Sequence, residues 1–113
     1  MDNNFEDKMV EAAMAVIVSA GEARDFCKEA LQSARNGNIE EAEAKLAEAN
    51  ASITQAHNGQ TEVIQAEMRG EETKISLLFI HAQDTIMTIT SEINMAKEML
   101  EMYKLIHGKG GRV

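Results

Sequence analysis

Between Ile75 and Tyr103 the chain places an apolar residue at alternating spacings of three and four: Ile75, Phe79, Ala82, Ile86, Ile89, Ile93, Ala96, Leu100 and Tyr103. That period gathers the whole set on one side of a helix and fits no strand. A second stretch repeats it through Ile39, Ala42, Leu46, Ala49, Ile53, Ala56, Gln60 and Val63. An earlier stretch carries Val10, Ala13, Met14, Ile17, Gly21 and later Leu31. No proline occurs anywhere in the chain to break these patterns.

Asn36-Gly37-Asn38 reads as a helix C-cap and short turn. Gly70 ends the next helix, and Glu71 and Glu72 then suit the first turn of another through the helix dipole. Asn58-Gly59 resembles a turn, but the stripe passes from Ala56 to Gln60 to Val63 without a change of phase, so one helix continues. A glycine inside a helix costs about 1 kcal/mol relative to alanine, so Gly59 implies close packing there. Gly21 reads in the same way. Short connections make neighbouring helices antiparallel. The expected fold is all-α: an antiparallel up-down-up three-helix bundle forming a single domain over residues 1–107, with a flexible tail over residues 108–113.

The formal charge is −8, from 19 acidic and 11 basic side chains. Such a surface repels nucleic acid and anionic lipid and attracts a basic protein partner. The glycine-rich tail GKGGRV lacks the pattern of a phosphate loop. Cys27 is the single cysteine, a small apolar filler that excludes a disulfide within the chain. The acidic first residues do not read as a secretory signal, and no apolar run approaches the roughly 20 residues of a membrane span. A cytoplasmic protein is expected, without nucleic acid partners or direct membrane insertion.

The last helix has more apolar surface than one core requires. Leu77, Ile80, Asp84 and Met87 form a second stripe, with Met95, Met99 and Met102 further along. Burial of two stripes implies a homo-oligomer with this helix near its axis. Asp84 would then converge with its copies and must be paired, protonated or bound to a hard cation such as Mg²⁺. His81 precedes Asp84 by three residues and Thr85 by four, so they share a face. A lone histidine is commonly structural, yet a neutral imidazole is also a good nucleophile. His107, in a last helical turn, suits the dipole and is assigned no function.

His81-Ala82-Gln83-Asp84, followed by Met87-Thr88, resembles the signature of the lactose/cellobiose-type enzyme IIA proteins of the bacterial sugar phosphotransferase system. Gly21-Glu22-Ala23-Arg24, Ala56-His57-Asn58-Gly59-Gln60-Thr61 and Met99-Leu100-Glu101-Met102-Tyr103 resemble other motifs of that family, in the same order. The resemblance implies a homotrimer of three-helix subunits. It implies that His81 accepts a phosphoryl group from the histidine of the carrier protein HPr and passes it to a cysteine of the cognate enzyme IIB. It further implies that Asp84 binds a metal, commonly Mg²⁺, at the trimer axis. Gln83 matches a polar residue beside the active histidine, and His57 a residue near the site, although His57 also reads as a packed structural histidine. Leu77, Leu78 and Ile80 form an apolar rim suited to excluding water and docking partners. The family usually has a second histidine where this chain has Thr85. The details lean toward the cellobiose/chitobiose branch. A helical adaptor and a metal-dependent enzyme built on Asp84 are the competing readings.

Overall fold

A computed structural model describes the backbone of residues 2–70 and 77–109, and the side chains of residues 10–66, 68–70 and 77–108. The described residues form α1 (Asp2–Arg35), α2 (Ile39–Met68) and α3 (Leu77–Lys104), which ends in a π-helical turn, Leu105–Lys109. No strand occurs among them. Glu71, Glu72 and Ile75 lie outside the described residues, as do residues 110–113. Helical structure runs to Lys109, two residues into the stretch expected to be a tail. The bundle is a rod of 67 × 18 × 18 Å.

The turn from α1 to α2 is fixed by backbone chemistry. Gly37 has φ +86°, a left-handed conformation that costs a residue with a Cβ about 1–2 kcal/mol. The Gly37 amide bonds the Ala34 carbonyl at 3.0 Å and the Asn38 amide bonds the Ser33 carbonyl at 2.9 Å, a Schellman motif that satisfies the carbonyls left over at the end of α1. Asn38 then opens α2 by accepting from the Ala42 amide at 3.0 Å. Gly70 repeats the left-handed backbone, φ +84°, after α2. The α2 helix runs unbroken through Asn58-Gly59. A Cβ at Gly59 would lie 3.2 Å from Val16 Cγ2, so the close packing expected there is present.

The α3 stripe is buried as expected: Ala82, Ile86, Ile89, Ile93, Ala96 and Leu100 face the core, with Phe79 and Tyr103 half-buried. The α2 stripe is buried from Ala42 to Val63. It includes Gln60, whose Nε2 is buried without a hydrogen-bond partner among the described residues.

The α1 helix departs from expectation. Its core face is Ala13, Val16, Ala20, Ala23, Cys27, Ala30 and Ala34, a heptad seam made mainly of alanine. Val10 and Met14, expected in the core, are exposed, as is Val18. Large side chains stand on the flank because the seam is too narrow for them. Gly21 also departs: a Cβ there would meet nothing within 4 Å, so it allows no close approach within this chain. Cys27 is buried as expected, and burial raises its thiol pKa.

Candidate functional site

His81 lies on the second turn of α3, exposed, with no side-chain hydrogen bond or ion pair among the described residues. Its backbone carbonyl accepts from the Thr85 hydroxyl at 2.7 Å. The residue standing at the departure from the family pattern is thus turned back onto its own helix. Ala82, fully buried, points to the core and fixes how α3 is rotated.

Long-range ion pairs identify the neighbour that each flank of α3 faces. Glu92 lies eleven residues after His81, close to three full helical turns, and so shares its flank. The Arg24 guanidinium donates to Glu92 twice, from Nε at 3.0 Å and from Nη2 at 2.8 Å. This pairing raises the Arg24 pKa, chiefly through its hydrogen bond to Glu92. The His81 flank therefore faces α1, whose exposed Val10 and Met14 share the α1 flank of Arg24.

Gln83 belongs to the opposite flank. It stands three heptads before Lys104, which pairs with Glu43 of α2 at 2.7 Å. His57 stands two heptads after Glu43 and so lies on the matching flank of α2. Its ring is exposed, and its backbone carbonyl accepts from Thr61 at 3.0 Å. It is not the packed structural histidine that its sequence position suggests, because the core stripe passes one residue before it, through Ala56. Within one chain, then, His57 and Gln83 occupy the α2 side of α3 and His81 the α1 side.

Asp84 is exposed between these flanks, on the side of α3 remote from the core. No lysine or arginine pairs with it among the described residues. Ile80 and Met87 adjoin it, 45% and 65% exposed. Leu77 is 83% exposed, whereas Leu78 packs partly against the core. The proposed apolar rim is thus Leu77 and Ile80, with Leu78 as its anchor. Among the described residues no three His, Cys, Asp or Glu side chains group as a metal centre within one chain. A single carboxylate supplies too few ligands for Mg²⁺.

The Arg24–Glu92 pair has no signature in the sequence beyond an arginine in a matched motif. His107 was also left without a role. Its ring stacks on Tyr103 at 6.2 Å, beside the backbone of Gly37. A cleft of about 370 Å³ between α1 and α2, lined in part by Val16, Ser19 and Gly59, contains none of the candidate residues.

Comparison with known proteins bears on this arrangement. The family described as "PTS system, Lactose/Cellobiose specific IIA subunit" matches residues 11–104. The lichenan-specific phosphotransferase enzyme IIA component of Bacillus subtilis is 37% identical over 107 residues, covering 95% of this chain and 97% of that protein. The crystal structure of the cellobiose-specific enzyme IIA from Bacillus anthracis superposes with TM-score 0.83 at 41% identity, covering 88% of this chain and 91% of that one. The IIA(Chitobiose) chain solved in complex with HPr, from Escherichia coli, superposes with TM-score 0.73 at 28% identity, covering 85% and 93%.

Proposed function

The chain belongs to the lactose/cellobiose-specific IIA family of the sugar phosphotransferase system, and from that premise we propose that it is a phosphocarrier whose reacting group is His81. The observation that carries the assignment is an exposed imidazole, without a hydrogen bond among the described residues, flanked by Leu77 and Ile80 on a rigid helix. A ring nitrogen of His81 attacks the phosphorus of the phosphohistidine of HPr. The nitrogen–phosphorus bond in the donor breaks as the new one forms, and a later attack by a thiolate of the cognate enzyme IIB removes the group. Transfer of this kind depends on in-line positioning and on stabilising charge spread over the phosphoryl oxygens. One histidine per chain is therefore enough. HPr as donor is supported by the relative solved in complex with it.

The exposed stripe of Leu77, Ile80, Asp84 and Met87 supports assembly around α3, and we read the assembly as a homotrimer. In it, three Asp84 carboxylates would converge on Mg²⁺, whose charge would relieve their repulsion. The sugar served is of the cellobiose, chitobiose or lactose type. No described helix is long and apolar enough to cross a membrane, in keeping with a cytoplasmic carrier that hands its group to a partner.

The test is intact mass after incubation with phosphoenolpyruvate, enzyme I and HPr. Wild type should gain one acid-labile phosphoryl group per chain and His81→Ala none. No gain in wild type beside an active control carrier would overturn the reading and favour the helical adaptor. A gain that persists in His81→Ala would move the nucleophile to His57.

A further inference from the structure

The cleft between α1 and α2 plays no part in the carrier reading. Ala12, Ala15 and Ser19 of α1 and Gly59, Glu62 and Ala66 of α2 supply most of its lining, and α3 supplies none. It is the outer groove of the bundle, across from the helix that bears His81. The Lys45–Glu29 pair, two heptads from Gly59 and from Ala15, bridges the same two flanks further along. The lining side chains are mostly small, so about 370 Å³ stays open, within the range of ligand sites. Ser19 is the second feature of this place. It is only 7% exposed, and it lines the cleft. Thr61 and Thr85 return their hydroxyls to carbonyls of their own helices, whereas the Ser19 hydroxyl has no hydrogen-bond partner among the described residues. A buried hydroxyl left unbonded is costly unless a group from outside the chain completes it.

Charge says what that group is. From Val10 to Ala23 on α1 and from Leu46 to Ala66 on α2 there is no lysine or arginine, and there are four glutamates: Glu11, Glu22, Glu48 and Glu62. Arg24 and Lys45, next in the chain, are paired with Glu92 and Glu29, and Arg69 follows the end of α2. A second copy would bring the same acidic rim, and nucleic acid or anionic lipid would be repelled. We propose that the cleft receives a basic amphipathic helix of a protein partner. Its apolar edge lies among the small side chains, beside Val18, which is 56% exposed. A lysine or arginine of the same helix donates to Ser19 Oγ and pairs with Glu62 at the rim. Small walls let a helix approach at the short end of the usual spacing of about 8–10 Å. On this side α1 and α2 offer a partner what they offer α3 on the other. The His81 face of α3 stays uncovered while the helix is bound.

Fluorescence anisotropy tests this with the full-length protein. The probe is a fluorescein-labelled amphipathic peptide of about 18 residues, leucines along one face and lysines along the other. Wild type should bind it and should not bind a counterpart with glutamates in place of the lysines. Ala15→Arg, at an exposed position, lays a long cation across the cleft without disturbing the core and should weaken binding at least ~10-fold. Ser19→Ala, which removes only the hydroxyl, should weaken it about 2- to 10-fold, and Glu62→Gln about 2- to 5-fold. His81→Ala, on α3, should bind as wild type does. Wild type that does not bind the lysine peptide, equal binding of the glutamate peptide, or an Ala15→Arg protein that binds as wild type does would each overturn the proposal. Sedimentation of the protein alone that shows an assembly lost in Ala15→Arg and kept in His81→Ala would give the cleft to a second copy and overturn it too. Phosphoryl uptake plays no part in these readouts, so the carrier reading stands or falls separately.

Discussion

Where α1 turns into α2, polar side chains find partners; where α3 begins, His81, Gln83 and Asp84 have none among the described residues of their own chain. At the first end Lys104 bridges Glu43 and Glu101, and Lys45 pairs with Glu29. A Schellman turn closes the backbone, and His107 stacks on Tyr103 beside Gly37. At the other end an imidazole, an amide and a carboxylate stand on three faces of one helix with apolar neighbours. One end satisfies its bonding capacity internally and the other leaves it open within its own chain. On the proposed function, stability and phosphoryl transfer sit at opposite ends of a 67 Å rod, where substitutions separate them.

The largest effect should fall on activity without touching the fold. His81→Gln should abolish phosphoryl uptake while thermal unfolding shifts by only about 0.5 kcal/mol or less, as expected of an exposed site. A large fall in melting temperature would mean that His81 is structural after all. The converse experiment is Gly37→Ala. A Cβ there would lie 3.5 Å from the His107 ring, an ordinary contact, so the cost is that of the left-handed backbone, about 1–2 kcal/mol. Calorimetry should show lower stability with the rate of phosphoryl uptake unchanged.

Two helical glycines sharpen the comparison further. Gly21→Ala should stabilise a single chain by up to ~1 kcal/mol, since the new methyl meets nothing within 4 Å. Gly59→Ala should gain less or lose, because Val16 must yield. Denaturant titration of both variants decides the order. A destabilised Gly21→Ala would show that another subunit occupies the flank of α1.

The smallest effect concerns pH. Lys45, which donates to Glu29, and Lys104, which donates to Glu43 and then Glu101, are both raised above their ordinary 10.5 by these hydrogen bonds. Their contribution is complete below the unfolded value and is lost as pH rises through the folded one. Both are surface pairs, so the change should be slight. Amide exchange around residues 36–39 should quicken as pH rises above 10.5 more than exchange near His81. Equal change at both ends would dissolve the contrast.

How much of this was legible before the structure depended on residue type. The α3 core could be read outright, since isoleucine and leucine at heptad spacing point one way. The α1 core could not, because alanine favours helix whether buried or exposed and so carries little information about facing. Val10 and Met14 drew attention to the wrong flank for that reason. His81 and Asp84 stood out by spacing and received their roles from a family resemblance, and their exposure agrees with that reading. The divergence of Gln83 from His81 was present in the spacing, at 100° per residue, but which helix each faced was not. That required the Arg24–Glu92 pair, which joins residues 68 positions apart and has no local signature.

The alanine seam of α1 has a consequence for how this sequence can drift. Most of its positions already hold the smallest side chain that retains a Cβ, and Ala20, Ala23 and Ala34 are fully buried. A step upward in size must wedge the helices apart, with a penalty of about 1–3 kcal/mol for a misfitting core group. A step down to glycine weakens the helix itself. The seam thus admits few neutral replacements, chiefly other compact groups such as the cysteine already at position 27. Variation should accumulate on the outer flanks of the bundle, while this interior line remains nearly monotonous.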